Sequence, residues 1–363
     1  MQDLEGGDDV QSDQAAEAEI LCERRGAAGV VTLNRPKALN ALTLGMVRAM
    51  RAALDAWEKD PAVTRVVVTG AGGRAFCAGG DIRRLHDLGR EGRIDEARTF
   101  WGEEYKLNAR IKSYTKPYVA LIDGIVMGGG VGLSLHGSHR VASEKLMFAM
   151  PEVGIGFFPD VGATYALPRL PGAAGTYLAV TGERIGLADA CALGIATHAV
   201  ASSAMGQVLD DLCAGGDIAA VLAAHAVDPG APPLAGERAM IDRCFAGADI
   251  PDILNRLLSE TGQSSENAGR LAALMRTKSP TSMAIAREQM RRGASLTFAE
   301  AMRLEYRIVS RIAEGHDFYE GVRAVIVDKD QAPKWRPQRV EEVTSEAIAA
   351  YFAPLPEGDL AID

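Results

Sequence analysis

Tyr118-Val-Ala-Leu-Ile-Asp-Gly-Ile-Val-Met-Gly-Gly-Gly-Val-Gly132 reads as a buried strand that runs into glycines and then into a helix. The apolar run 118–122 is too short and too β-prone for a helix, and Asp123 with its flanking glycines rules out a membrane span. The same order recurs upstream. Gly29-Val-Val-Thr-Leu33 is a strand, and Thr43 can cap a helix over 44–59 whose apolar side carries Leu44, Met46, Val47, Met50 and Leu54. Thr64-Arg-Val-Val-Val-Thr69 is another strand, the glycine-rich segment 70–81 a loop, and about 94–113 a helix. Short β segments are expected near 139–142 and 146–149. Strands alternating with helices predict an α/β domain.

After about residue 205 strand signals vanish. Segments 206–225, 250–260, 264–277, 280–292 and 297–314 read as helices, with a Pro- and Gly-rich connector at 228–233. From Asp328 the prolines argue for an extended tail with one short helix near 344–352. The expected organisation is therefore a leader at 1–19, a core at 20–205, a helical region at 206–335 and a tail at 336–363.

Composition excludes several classes. The net charge of −9 argues against a nucleic-acid partner. Five cysteines without a CxxC pair and six scattered histidines offer neither a disulfide framework nor metal-ligand spacing, so no metal is expected. Unpaired thiols and an acidic N-terminus without a basic, apolar leader predict a cytoplasmic protein.

Three stretches could carry chemistry. In Met150-Pro-Glu-Val-Gly-Ile-Gly-Phe-Phe-Pro-Asp160, Glu152 and Asp160 stand in an apolar setting where a carboxylate is costly unless paired or used. Arg74-Ala-Phe-Cys-Ala-Gly-Gly-Asp-Ile82 and Met127-Gly-Gly-Gly-Val-Gly132 are turns whose bare backbone can present N–H groups. Amides aimed at one point beside paired acids suggest attack on a carbonyl. A phosphate cradle competes, but neither dinucleotide nor P-loop spacing is present.

Ala75-Phe-Cys-Ala-Gly-Gly-Asp-Ile82, Met127-Gly-Gly-Gly130 and Pro151-Glu152, in that order, resemble the enoyl-CoA hydratase/isomerase (crotonase) superfamily. Glu103-Glu-Tyr105, Gly156-Phe-Phe-Pro-Asp-Val-Gly162 and the stretch from Glu314 to Trp335 are most similar to its branch that hydrolyses 3-hydroxyisobutyryl-CoA. The resemblance spans about residues 20–355. It implies a crotonase-like ββα spiral core followed by a helical C-terminal region. It implies an oxyanion hole from the amides of Ala78 and Gly129, a principal carboxylate at Glu152, a second acid at Asp160 and a substrate-contacting acid at Glu104. Gly79, Gly80, Asp81, Ile82, Gly128, Lys37 and Ala38 are expected to contact substrate. Hydratases of the family carry a second glutamate where this chain has Gly132, which counts against water addition to a double bond.

The implied reaction is hydrolysis of a short branched 3-hydroxyacyl-CoA thioester. No cofactor is required, coenzyme A being part of the substrate, and the resemblance also allows a homo-oligomer. A hydratase or isomerase on the same fold, a hydrolase of another acyl-CoA and a non-catalytic acyl-CoA-binding protein are the competing expectations. Whether Glu152 acts as base or nucleophile, and whether Asp160 positions water, binds the 3-hydroxyl or protonates sulfur, is open at this level. Arg35, Lys37, Arg74, Arg83 and Arg84 are candidates for the coenzyme A phosphates. Cys77, His136 and His139 are read as packing residues, and Asp317 as a helix cap with Glu320 closing a capping box.

Overall fold

A computed structural model describes residues 18–362. Among the described residues nine strands form two sheets. The larger has the order β1-β2-β3-β5-β7-β9, from Ile20–Arg25, Ala28–Leu33, Arg65–Gly70, Tyr118–Ile122, His139–Ala142 and His198–Ala199. The smaller has the order β4-β6-β8, from Ala75–Cys77, Ile125–Met127 and Met147–Ala149. Every pairing is parallel except β1 with β2. The chain steps from the large sheet to the small one at β3–β4, β5–β6 and β7–β8, and a helix follows each of the first two steps.

The period of two explains why the large sheet is buried on both sides. Val66, Val68 and Ala120 face the main core, whereas Val67, Val119 and Val141 face a second cluster closed by Val208, Leu212 and Leu222. The main core is continuous from Val31 to Phe352 and includes residues of the C-terminal helices. Helix Leu44–Lys59 starts where the sequence places it, with the Thr43 hydroxyl accepting from the Met46 N–H, a cap worth about 1 kcal/mol.

Five expectations differ from what is seen. The glycine-rich segment 70–81 is not all loop, because strand β4, Ala75–Cys77, lies inside it and pairs with Ile125–Met127. The residues after Ile122 do not enter a helix directly: β6 intervenes, and the helix Gly129–Ser134 begins after Gly128. A three-residue strand is too short to show an alternation. Segment 206–225 is two helices, Met205–Cys213 and Ile218–Ala224, parted at Gly215 and Gly216. The expected leader 1–19 lies mostly outside the described residues. Its end, however, belongs to the fold: Asn34 donates to the carbonyls of Ala18 and Glu19, and the Glu19 carboxylate meets Arg35. Asp317 is not a cap. It sits inside the helix His316–Val322, accepting from the Ser279 hydroxyl and the Arg336 N–H, while Glu320 pairs with Arg323.

Candidate active site

The three strands of the small sheet run parallel, Cys77 beside Val126 and Met127 beside Ala149, with one shift of register between Ala75 and Cys77. Their C-terminal ends therefore deliver three segments to one place: Ala78-Gly79-Gly80 after β4, Gly128-Gly129-Gly130 after β6, and Met150-Pro151-Glu152 after β8. Ligands of parallel sheets gather outside the carboxyl ends of strands. A cavity of about 680 Å3 opens here.

The two turns approach closely. A methyl placed on Gly129 would lie 3.2 Å from the Gly80 nitrogen and 2.5 Å from Glu104 Oε1. One on Gly128, whose φ is +46°, would lie 3.3 Å from Glu152 Oε1 and 3.4 Å from the Gly79 Cα. Neither the Gly80 nor the Gly129 N–H donates to any described residue. Both amides thus border the space between Glu104 and Glu152. Ala78 is a correction. Its N–H donates to the Leu39 carbonyl at 3.0 Å, so it is committed to holding the loop against residues 38–42. The β4 loop offers Gly80 in its place, two residues on.

Glu152, Asp160 and Glu104 all line the cavity and are nearly inaccessible. Burial, and then the charge of Asp160, hold the Glu152 carboxyl well above the usual range. Burial raises Glu104, with Asp160 and Glu305 adding repulsion. Asp160 is pushed up by burial to about 7, against the Tyr105 hydroxyl, which donates to its Oδ2 at 2.8 Å and favours the anion. Glu104 Oε1 and Glu152 Oε2 have no partner among the described residues. Buried acceptors without donors are what an incoming ligand would satisfy. Phe100, Trp101 and Phe157 form the apolar wall, with Trp101 and Phe157 stacked at 5.7 Å.

Of the remaining expected contacts, Ala38, Gly79, Gly80, Asp81, Ile82, Gly128 and Gly129 line the cavity; Lys37 does not. Asp81 caps the helix Ile82–Arg90 and pairs with Arg35 at 3.0 Å. Arg35 is also bound to Glu19 and to the Ala41 carbonyl, so it is spoken for within the fold. Arg83 lines the cavity, joined by Arg184 and Lys278, which the sequence reading did not single out. Arg74 and Arg84 do not line it. Among the described residues no group of His, Cys, Asp and Glu has a metal-binding arrangement, and no helix is long and apolar enough to cross a membrane.

Gly132 cannot host a glutamate. A methyl there would stand 2.6 Å from Asn108 Nδ2 and 2.7 Å from the Val161 Cβ. Cys77 is buried and its thiol is pushed to about 12 by desolvation, which leaves it inert. His136 hydrogen-bonds the Val161 carbonyl through Nε2 at 2.7 Å and is kept neutral by burial.

The sequence profile of the enoyl-CoA hydratase/isomerase family matches residues 28–352. The chain belongs to that family. Within it, the chain is 47% identical over 353 residues to the mitochondrial 3-hydroxyisobutyryl-CoA hydrolase of Xenopus laevis, covering 94% of this chain and 90% of that protein. It is 44% identical to the human protein of the same name, covering 95% and 91%. Among solved structures of the family, a carnitinyl-CoA dehydratase from Mycobacterium thermoresistibile superposes with a TM-score of 0.89 at 44% identity, covering 94% of this chain and 98% of that one. An enoyl-CoA hydratase from Rhodobacter sphaeroides 2.4.1 superposes with a TM-score of 0.87 at 40% identity, covering 95% and 100%. The crotonase-type α/β spiral expected from sequence is the fold of this family member. The expected cytoplasmic location is overturned: these hydrolase relatives are named as mitochondrial. Unpaired thiols report a reducing environment and do not tell one such compartment from another.

Two residues at the site escaped the sequence reading. Tyr105 was read only as part of a motif. Glu305 lies on the helix Phe298–Ile312 and is fully buried beneath the Asp160 loop. The signal for Glu305 was present: it occupies the apolar stripe Ala301, Glu305, Ile308, Ile312, where a carboxylate is out of place.

Proposed function

We propose that this enzyme hydrolyses 3-hydroxyisobutyryl-CoA to 3-hydroxyisobutyrate and coenzyme A. The single observation that carries the chemistry is that Gly80 and Gly129, whose N–H groups have no acceptor among the described residues, line one cavity with the buried Glu152, whose Oε2 has no partner there either. The relatives named as 3-hydroxyisobutyryl-CoA hydrolases support the choice of substrate.

In this reading the thioester oxygen lies between the two amides, where donors typically contribute about 3–4 kcal/mol each to the barrier. Glu152 accepts a proton from water as the water oxygen bonds to the carbonyl carbon. Burial raises its proton affinity and so strengthens it as a base. The tetrahedral oxyanion collapses, the C–S bond breaks and sulfur takes the proton that Glu152 took from water. Asp160 is the group placed to relay it, so that both acids end the cycle as they began. Glu104 accepts a hydrogen bond from the substrate. Arg83, Arg184 and Lys278 at the cavity face the coenzyme A phosphates; Lys278 is half-buried and its ammonium makes no ion pair among the described residues. The substrate is small, and no cofactor takes part.

The crowding at Gly132 favours hydrolysis over hydration, because the space for a second glutamate is filled. Thiol release from 3-hydroxyisobutyryl-CoA, isobutyryl-CoA and crotonyl-CoA tests the reading. Rapid thiol release from the first, with the conjugated absorbance of crotonyl-CoA unchanged, is expected. Loss of that absorbance without free thiol would mean hydration instead.

A further inference from the structure

Asp160 sits on a loop that would not hold its shape alone. Val161, a β-branched residue, has φ +51°, and Gly162 follows at +92°. Consecutive left-handed residues, one of them valine, persist only where surroundings enforce them. The enforcement comes from two C-terminal helices. Glu305, on Phe298–Ile312, accepts the Gly162 N–H at 2.8 Å on Oε2 and the Thr164 N–H at 2.9 Å on Oε1. Gln289, on Pro280–Gly293, donates through Nε2 to the Pro159 carbonyl at 2.9 Å and to Thr164 Oγ1 at 2.7 Å. Four bonds thus bracket Asp160 on both sides, and all the groups making them are buried.

We propose that Glu305 and Gln289 are positioning residues that clamp the loop 159–164, so that the C-terminal helices set the aim of Asp160. This rests on the hydrolase reading above for its kinetic consequences.

The clamp acts by geometry. Tyr105 and Glu104 face Asp160 from the helix Ile94–Lys112, Glu152 from its own segment and Glu305 from the clamp. Burial, and then the Asp160 charge, push Glu305 up to about 8, above Asp160 at about 7, so Glu305 still holds its proton where Asp160 gives its own up. Gln289 carries no charge.

Glu305→Gln and Gln289→Ala test the two arms of the clamp. For Glu305→Gln, kcat for thiol release should fall about tenfold or more with KM nearly unchanged. Gln289→Ala should lower kcat in the same way. Parent-like kcat in both variants, or a rise in KM with kcat unchanged, overturns the proposal. If Glu305→Gln does not fold, Gln289→Ala decides: parent-like kcat overturns the clamp and a loss confined to kcat supports it. A parent that releases no thiol defeats the hydrolase reading alone. The 13C carboxyl titration of Asp160, assigned with Asp160→Asn, then decides: a midpoint moved in Gln289→Ala supports the proposal and an unchanged one overturns it.

Discussion

The two walls of the cavity are built from different materials. One is main chain: the turns after β4 and β6 bring Gly80 and Gly129 to a common space with bare backbone. The other is carboxyl groups: Glu104, Glu152 and Asp160 line the cavity, and Glu305 stands behind them. The main-chain wall is made by the ends of parallel strands and carries dipoles without net charge. The carboxyl wall draws on a long helix, the β8 turn and the C-terminal helices. Its groups repel one another in a place where water cannot screen them. The first wall is fixed by the fold, and the second is held in spite of its own electrostatics.

Breaking the carboxyl wall should have the largest effect. Glu152→Gln removes the proton acceptor and should lower kcat for thiol release by about 10^3-fold with intact folding, checked by single-turnover kinetics. Breaking the main-chain wall comes next. Gly129→Ala puts a methyl 2.5 Å from Glu104 Oε1 and 3.2 Å from the Gly80 nitrogen. Its kcat should fall by roughly 10^2-fold, with the loss smaller in binding than in turnover.

The walls should also differ in stability. Glu152, Glu104, Asp160 and Glu305 all hold protons more tightly in the fold than in the unfolded chain. Their contribution is therefore complete below the ordinary carboxylate range of about 4. It is lost as pH rises through about 7 for Asp160 and about 8 for Glu305. Glu152→Gln should raise Tm at pH 8 by roughly 3 °C and do little at pH 4. A uniform shift at both pH values would mean that Glu152 is not strained by burial. The smallest effect is expected at Cys77. Cys77→Ala should leave thiol release within about twofold of the parent, since a buried thiol held near 12 offers no nucleophile.

The difference between the walls also explains what was legible in the sequence. Glycines at 79 and 128–130 mark the turns because a side chain there would meet a positive φ or a close neighbour, and the strands leading to them are plain in the apolar runs. Which amide of the β4 loop is free was not legible. Ala78 and Gly80 differ only in that the Leu39 carbonyl, 39 residues upstream, takes one and not the other. Glu152 and Asp160 stood out as acids among apolar neighbours. Glu305 was hidden because its partners, Gly162 and Thr164, lie more than 140 residues away in the chain, and helical periodicity alone does not say what a helix packs against. The Asp317 cap failed for the same reason: Ser279 and the Arg336 amide, both distant, claim its oxygens.

The central claim is that backbone amides of two turns grip the thioester oxygen while Glu152 directs water to the adjacent carbon. Infrared difference spectroscopy of a 13C=O-labelled 3-hydroxyisobutyryl-CoA bound to Glu152→Gln reads that grip without turnover. The carbonyl stretch should move to lower frequency than in solution, and the displacement should shrink when Gly129→Ala is added. A bound carbonyl that keeps its solution frequency in Glu152→Gln would contradict the account.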